Sequence, residues 1–214
     1  MPYRKLPFVA EGIYHVFSKS IAGYKIFNTD EDFKRIINVL QFYSTENPPR
    51  KYSDAIKSSK DFLEVVQREK KIIKLIAYCI MPTHIHLIIV PLKDEILSSY
   101  MNRVLKSYSK YFNIKYNRKG PLWEGRFKSV LVQTHEQLIH LTRYIHLNPV
   151  TAYLVERPED WIYSSYNEYI GISETGFCDF KDYLEIQPSM YIQFVQDRVN
   201  YQRELAKIKD LIIE

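Results

Sequence analysis

The stretch IIKLIAYCIMPTHIHLIIV, residues 72–90, decides the fold of this chain. It holds two apolar runs, 72–80 and 85–90, and the residues between them include Pro82. Each run has the length of a strand, and a proline interrupts regular structure, so the pattern favours a β-hairpin over one continuous helix. In this hairpin His84 and His86 open the second strand.

The segments on either side of the hairpin supply the other elements of the fold. Periodicity and capping residues predict a strand at 12–18, a helix at 29–43, a polar loop at 45–60, a short helix at 61–69, a helix at 95–116, a strand at 126–133 and a helix at 135–147. Thr29 with Asp32, and Thr134 with Gln137, form the expected capping boxes, and Pro149 is expected to end the last helix.

The resulting order, β-α-β-β-α-β, predicts an α+β fold of the ferredoxin-like (split βαβ) type. Such an antiparallel sheet carries its helices on one face and leaves the other face free to present functional side chains. The helix at 135–147 is an additional helix. Residues 150–185 show no regular pattern, and residues 186–214 predict a charged terminal helix.

Composition narrows the class of protein. The chain has 214 residues, 46% of them hydrophobic, which fits one domain with a buried core. A net charge of +5 suits a polyanionic partner without requiring one. Two cysteines, no secretory signal and no apolar run long enough to cross a bilayer predict a cytoplasmic protein without a membrane partner.

The His-x-His pattern is a candidate metal site. Side chains alternate along a strand, so His84 and His86 point the same way, about 7 Å apart at their Cα atoms. Two imidazoles at that separation can converge on one metal ion, while Ile85 and Leu87 face the core. The same pattern also fits two hydrogen-bonded histidines at the start of a strand.

A nucleophile and a further ligand can come from the helix at 135–147. His140, Tyr144 and Asn148 lie four residues apart and share one stripe of that helix. Asn148 can supply a carbonyl oxygen to a metal, and Tyr144 a nucleophilic oxygen. A helical tyrosine is also ordinary packing, however, and an asparagine before proline is an ordinary helix terminator. Histidine with amide ligation suits Mn, Co, Ni or Zn better than Mg²⁺, which needs phosphate and water to complete its shell.

A basic, aromatic stretch is the candidate nucleic-acid surface. No acidic residue occurs between Glu95 and Glu124. Cations there can track phosphates, and aromatic rings can stack on unpaired bases. The candidate DNA-binding residues are Arg103, Lys106, Lys110, Arg118, Lys119, Trp123, Arg126 and Lys128. The alternative is a solvated basic face over an aromatic core seam.

Four motifs in order resemble a known family. They are YHV at 14–16, MPTHIHL at 81–87, GPLWEGRF at 120–127 and YIHLNPV at 144–150. Together they resemble the single-tyrosine transposases with a His-hydrophobe-His (HUH) site, and among these the REP-associated tyrosine transposases of bacterial chromosomes. On this resemblance residues 1–170 form the catalytic domain, and residues 171–214 are a C-terminal extension of unassigned role.

The resemblance implies a role for each motif residue. His84 and His86 match the metal-binding pair, Asn148 the third ligand, and Tyr144 the nucleophile. The implied cofactor is a divalent metal, Mg²⁺ or Mn²⁺. The implied reaction cleaves and rejoins single-stranded DNA at hairpin or palindromic repeats through a 5′-phosphotyrosine, in a bacterial, nucleoid-associated protein that forms a homodimer in some relatives.

One departure and two alternatives accompany this interpretation. Relatives often carry arginine where this chain has Lys19, which puts their mode of guide-sequence recognition in question here. One alternative is a domesticated, non-catalytic protein that binds hairpin DNA, although both histidines, Tyr144 and Asn148 are all present. The other is a metal hydrolase in which water attacks instead of tyrosine.

Overall fold

The computed structural model describes residues 7–46, 48, 51–58, 69–173 and 176–199. The strands among them are β1 (Tyr14–Lys19), β2 (Ile73–Met81), β3 (His84–Pro91) and β4 (Lys128–Leu131). The helices are α1 (Asp30–Tyr43), α2 (Tyr52–Ser58), α3 (Ile96–Lys115), α4 (His135–Thr151), α5 (Tyr166–Tyr169) and α6 (Pro188–Gln196). Short 3₁₀ turns occur at Ile21–Gly23, Pro158–Asp160 and Phe180–Asp182.

The four strands form one sheet in the order β2-β3-β1-β4. β1 pairs antiparallel with β4, from Tyr14 opposite Leu131 to Phe17 opposite Lys128. This order is the one that a split βαβ unit produces, because the hairpin and the two crossovers interleave the strands. The predicted α+β, ferredoxin-like fold is therefore confirmed.

Several predicted bounds change in the structure. The polar segment at 45–60 contains α2, and β4 is shorter than the predicted strand at 126–133. The helix predicted at 61–69 lies almost wholly on residues 59–68, outside the described residues. The terminal helix is α6 as far as residue 196, and residues 200–214 lie outside the described part. No helix in the described ranges has both the length and the apolar character that a membrane span requires.

Contacts divide the chain into two compact units that interleave along the sequence. The first comprises Met1–Lys74, Pro82–His84 and Ile89–Leu131, and the second comprises Leu75–Met81, Ile85–Ile88 and Val132–Glu214. The strand β3 contributes residues to both units. Each unit has its own buried side chains, so each is described separately.

In the first unit, aromatic side chains join α3 to the chain around α1. The hydroxyl of Tyr100 donates a hydrogen bond to the carbonyl of Leu40 (3.0 Å), and the hydroxyl of Tyr108 donates to the carbonyl of Ile26 (2.6 Å). Phe112 is fully buried on the same helix. Buried tyrosines with satisfied hydroxyls and a fully buried phenylalanine belong to the core, so the aromatic-seam alternative is confirmed for these three residues.

The start of α1 carries a buried carboxylate. Thr29 and Asp32 form the predicted capping box. Asp32 also accepts hydrogen bonds from the ammonium of Lys115 (2.8 Å) and from the hydroxyls of Tyr111 (2.9 Å) and Tyr116 (2.6 Å). Burial alone would raise the pKa of this carboxyl, but these hydrogen bonds outweigh it and lower the pKa to about 2. The network ties the end of α3 to the start of α1.

The prediction that one face of the sheet stays free is wrong for β2 and β3. Every residue of these strands except Lys74 and His84 is buried. In the second unit, residues 160–182 lie along the outer edge of β2, where the hydroxyl of Tyr169 donates to the carbonyl of Ile76 (2.9 Å). The runs at 72–80 and 85–90 are continuously apolar instead of alternating, which is typical of strands covered on both faces.

Candidate active site

The first histidine of the pair, His84, opens β3 directly after the β2–β3 turn. The carbonyl of Thr83 accepts a hydrogen bond from the backbone of Ser20 (2.8 Å), which fixes the turn next to the end of β1. Nδ1 of His84 lies 2.9 Å from the hydroxyl oxygen of Thr83. Burial and the charge of Lys19 lower the pKa of His84 to about 4. The imidazole is therefore neutral at pH 7, as a metal ligand must be.

The second histidine lies two residues further along β3, in the second unit, against the tyrosine helix. The side chain of His86 is buried, with 6% exposed. Its ring meets the ring of Tyr144 edge-on, with centroids 5.7 Å apart. The structure therefore brings His86 and the predicted nucleophile into direct contact on two different elements.

Tyr144 occupies an exposed position on α4, with 43% of its surface accessible. Partial burial raises the pKa of its phenol, and a hydrogen bond with Asn148 opposes that rise. An ordinary tyrosine has a pKa of about 10, so this hydroxyl is protonated at neutral pH. It can act as a nucleophile only where its proton is removed and the developing charge is stabilised.

The helix α4 continues past Pro149 to Thr151, so the prediction that it ends near Pro149 was wrong. A proline lacks the N–H that would bond to the carbonyl four residues earlier, which is that of Ile145. The side-chain amide of Asn148 supplies a donor instead: Nδ2 lies 3.4 Å from the carbonyl oxygen of Ile145 and 2.9 Å from that of Tyr144. Because Nδ2 is engaged with the backbone, Oδ1 is the atom that Asn148 can offer to a ligand.

A buried hydrogen-bond chain holds α4 on both sides of Tyr144. His146 is fully buried, and its two ring nitrogens pair with the hydroxyls of Tyr191 (2.7 Å) and Ser165 (2.8 Å). The Tyr191 hydroxyl donates to Thr142, one turn earlier on α4 (3.0 Å). Burial lowers the pKa of His146 to about 3, so this ring is neutral. The chain fixes the turn of helix that carries the tyrosine.

Ser165 extends this chain to the sheet. Its hydroxyl accepts a hydrogen bond from the backbone of Tyr78 on β2 (2.9 Å). Sequence reasoning missed Ser165 and Tyr191, since one lies in a segment without a pattern and the other in a segment assigned only as a charged helix. The available signal was His146 itself, which lies four residues after Thr142 on the buried face of α4.

The predicted DNA-binding residues all lie in the first unit, but they do not share one environment. Arg103, Lys106 and Lys110 line a groove of about 640 Å³ beside α3. Arg126 and Lys128 line a small pocket together with Lys19. These five cations lie where a polyanion can reach them.

The other three predicted residues differ from one another. Trp123 is 9% exposed, and its indole N–H donates to the carbonyl of Leu105 (3.2 Å). Such a ring belongs to the core and does not present a face to a base. Arg118 donates to the carbonyl of Pro121 (2.9 Å) and so braces the chain after α3. Lys119 is exposed.

The described residues contain no group of three or more His, Cys, Asp and Glu side chains arranged to hold a metal ion. The predicted ligand set is of another kind, with two histidines and one amide. His84 and His86 lie two residues apart on β3, and Asn148 is hydrogen-bonded to Tyr144 on α4. The structure thus joins His86, Tyr144 and Asn148 through contacts within the second unit.

Comparison with known proteins places the chain among transposases. The family described as "Transposase IS200 like" matches residues 14–148, which is more than half of the chain. A REP-associated tyrosine transposase from Haemophilus influenzae is 34% identical over 103 residues, which cover 43% of this chain and 58% of that relative. The chain thus matches less than two thirds of the length of that curated relative.

A solved structure has the same fold. It is the structure of a REP-associated tyrosine transposase bound to a REP hairpin, with a TM-score of 0.56 and 15% sequence identity, and the match covers 88% of this chain and 93% of that one. The family match places this chain in the class of IS200-like transposases, and the solved structure shows that it shares their fold. The chain belongs to the IS200-like transposase family, and the predicted resemblance to REP-associated tyrosine transposases is confirmed.

Proposed function

We propose that this protein is a metal-dependent transesterase that cleaves and rejoins single-stranded DNA beside hairpin repeats, with Tyr144 as the nucleophile. The observation that carries the proposal is the contact between Tyr144 and the HUH histidine His86, whose ring centroids lie 5.7 Å apart. Asn148, one helical turn after the tyrosine, supports the same assignment because it pairs with the phenol. Membership of a transposase family supports DNA as the substrate.

The proposed ligands of the divalent metal are His84, His86 and Asn148. His84 has the neutral form that coordination requires, and its contact with Thr83 orients the ring, as outer hydrogen bonds do for metal-binding histidines. Nδ2 of Asn148 is held by carbonyls of α4, so its oxygen completes a set of two nitrogens and one oxygen. When bound, Mg²⁺ or Mn²⁺ would polarise the scissile phosphate and offset its developing charge.

In the proposed reaction the phenolic oxygen of Tyr144 bonds to the phosphorus of a DNA phosphodiester. The bond from phosphorus to the 3′ oxygen breaks, the phenolic proton passes to solvent, and the departing oxygen takes up a proton as a 3′-hydroxyl. The product is a 5′-phosphotyrosine. Attack of a 3′-hydroxyl on that linkage reverses the step and rejoins the strand, because one phosphodiester is exchanged for another.

We propose a hairpin next to a single-stranded segment as the DNA partner. One support is the relative with this fold, whose structure was solved bound to a REP hairpin. A second support is the charge of the first unit, where three cations, Lys19, Arg126 and Lys128, line one pocket with a single carboxylate, that of Glu124, and further cations line the groove beside α3. Cations on such surfaces bind phosphates irrespective of sequence.

The test is covalent capture. The protein is incubated with end-labelled hairpin DNA that carries a single-stranded flank, with Mn²⁺ or Mg²⁺, and is then run on a denaturing gel. We expect a labelled protein adduct with the wild type, none with Tyr144→Phe, and none with His84→Ala. Tyr153→Phe is the matched control, because Tyr153 is exposed just after α4 and should leave the adduct unchanged.

The other outcomes separate the alternatives. Strand cleavage that survives in Tyr144→Phe would mean that water is the nucleophile and would refute the tyrosine mechanism. Hairpin binding with no adduct under any metal would indicate a non-catalytic DNA-binding protein. Isothermal titration with Mn²⁺ provides a separate readout of the metal site, and we expect the affinity to fall at least tenfold, on the order of 1.4 kcal/mol, in His86→Ala.

A further inference from the structure

A groove of about 640 Å³ runs between α1, α2 and α3 in the first unit. Its lining contains six cations, which are Arg35, Lys51, Arg103, Lys106, Lys110 and Lys115, and a single carboxylate, that of Glu31. The ammonium of Lys115 lies 2.8 Å from the carboxylate of Glu31 and 2.8 Å from that of Asp32, so it is shared between two carboxylates. Arg35 also interacts with the charge of Glu31, which leaves Lys51, Arg103, Lys106 and Lys110 as the lining cations with no ion pair to a described carboxylate.

Three of these cations form a row on α3. Arg103, Lys106 and Lys110 are spaced three and four residues apart, so they share one face of the helix. Seven residues of helix rise about 10 Å, so the row is long enough to face more than one successive phosphate of a nucleic-acid strand. A free phosphate or a short acidic side chain would use only part of this row.

The guanidinium of Arg35 is held in place at the groove. Its carbon lies 4.1 Å from the ring centre of Tyr52 and 4.9 Å from that of Tyr111. Its Nε is buried and has no hydrogen-bond partner among the residues that the structure describes. A guanidinium that is stacked between two rings loses little further freedom when it binds, and its planar fork matches the oxygens of a phosphate. The arrangement is suited to an anion that enters the groove.

The groove also offers apolar surface. Ile114 lines it with 71% of its side chain exposed, and Tyr43 lines it as a half-buried ring. A ligand with phosphates alone would leave this surface in contact with water. An unpaired nucleotide has both a phosphate and an apolar face, whereas the bases of a duplex are stacked on one another and withheld from such a surface.

We infer that this groove binds an unpaired stretch of nucleic acid, with phosphates on Arg103, Lys106 and Lys110 and a base against Ile114. The inference rests on the proposed function for the identity of the partner as DNA. It assigns a second contact region, built from α1, α2 and α3, in addition to the residues around Tyr144. It also separates the aromatic residues of α3 into two groups, since Tyr100, Tyr108 and Phe112 are core while Tyr111 borders the groove.

The experiment measures binding without cleavage. All proteins carry Tyr144→Phe, and the probe is a fluorescein-labelled oligothymidylate of about 20 nucleotides, read by fluorescence anisotropy from 50 to 300 mM salt. The groove variant is Lys106→Glu with Lys110→Glu. The matched control is Lys25→Glu with Lys181→Glu, which changes the net charge equally at exposed residues outside the groove.

We expect the groove variant to bind at least tenfold more weakly than the control at about 100 mM salt. The slope of log affinity against log salt should also fall by about 1.4, since each phosphate contact to a single strand contributes about 0.7. Ile114→Ser should weaken binding about threefold and leave the slope unchanged, because it removes apolar contact and no charge. Circular dichroism checks that each variant is folded.

Three results would overturn the inference. Equal affinities and slopes for the groove and control variants would mean that only net charge matters. Tighter binding of a 20-base-pair duplex than of the single strand, with the same dependence on Lys106 and Lys110, would assign the groove to paired DNA. Unchanged binding by all variants would mean that the groove does not bind nucleic acid and would favour an acidic protein segment as its ligand. Because binding is measured without Tyr144, failure of the proposed chemistry would not produce any of these results.

Discussion

Removing the hydroxyl of Ser165 should loosen the helix that carries Tyr144. In Ser165→Ala two buried groups lose a partner, namely the backbone N–H of Tyr78 (2.9 Å) and Nε2 of His146 (2.8 Å). A buried polar group that is left unsatisfied costs about 1–3 kcal/mol. Since backbone and ring can adjust in part, we expect the free energy of unfolding to fall by about 3 kcal/mol.

The assay is urea denaturation followed by circular dichroism. The midpoint should fall while the dependence on urea stays the same, because the mutation changes stability and not the surface exposed on unfolding. Ser99→Ala is the matched control: Ser99 is exposed on α3 and its hydroxyl donates to the carbonyl of Ile96, so a change below about 0.5 kcal/mol is expected.

A second readout separates positioning from stability. At a temperature where Ser165→Ala is fully folded, the rate of adduct formation at saturating DNA should fall while the affinity for hairpin DNA is retained, because Ser165 acts on the tyrosine helix. A loss of stability no larger than that of Ser99→Ala would refute the claim that this chain of hydrogen bonds holds α4 in place.

Three further outcomes follow from the structure. Asp32→Asn should lower the free energy of unfolding by about 3 kcal/mol, since it breaks a buried ion pair with Lys115. The folded pKa of Asp32, about 2, lies below the unfolded value of about 3.9, so the wild type has this stability above pH 4 and loses it as the pH falls towards 2. Acid titration of the variant should show a flatter dependence of stability on pH. Asn148→Asp should keep its affinity for Mn²⁺ in calorimetry, because it retains a side-chain oxygen, but its free energy of unfolding should fall by about 1 kcal/mol, because the donor to the carbonyl of Ile145 is lost. Asn148→Ala should lose both the Mn²⁺ affinity and this stability. Trp123→Phe should lower stability by about 1 kcal/mol in urea titrations and leave the affinity for single-stranded DNA unchanged, since the indole is a core residue bonded to Leu105.

Local sequence signals predicted the elements around the site well. The hairpin followed from two strand-length apolar runs and Pro82, and the start of α1 followed from its capping box, which the structure forms as expected. At the start of α4 one of the two hydrogen bonds of the predicted capping box is present, since the hydroxyl of Thr134 accepts from the backbone N–H of Gln137. The side chain of Gln137 accepts from the backbone N–H of Gln133 instead of that of Thr134. Short-range chemistry of this kind depends on a few neighbouring residues and is therefore visible in the sequence.

Features that depend on distant residues could not be predicted in this way. The end of α4 was misplaced because Asn148 supplies the hydrogen bond that Pro149 lacks, and a rule about proline alone omits that neighbour. The partners of His146 come from positions 19 and 45 residues further along the chain. The groove beside α3 needs Arg35 and Lys51 in addition to the basic helix, and no periodicity links those segments.

The contact between His86 and Tyr144 was predictable in part from local sequence and in part depends on the fold. Spacing on a strand and on a helix identified the candidates, and the family resemblance assigned their roles, but only the fold brings the two rings into contact. The same fold shows that a tyrosine-rich helix need not be a stacking surface. Tyr100 and Tyr108 look like candidates for base contact in the sequence, and both are core residues bonded to backbone carbonyls.

The most direct test of the central claim is to locate the DNA linkage on the protein. Wild-type protein is reacted with hairpin DNA and Mn²⁺, digested with protease and nuclease, and the nucleotide-bearing peptide is sequenced by mass spectrometry. We predict a phosphodiester-linked nucleotide on Tyr144, lost when His84 and His86 are both replaced by alanine. A nucleotide found on Tyr153 or another tyrosine, or strand cleavage with no modified peptide, would contradict the assignment of Tyr144 as the nucleophile.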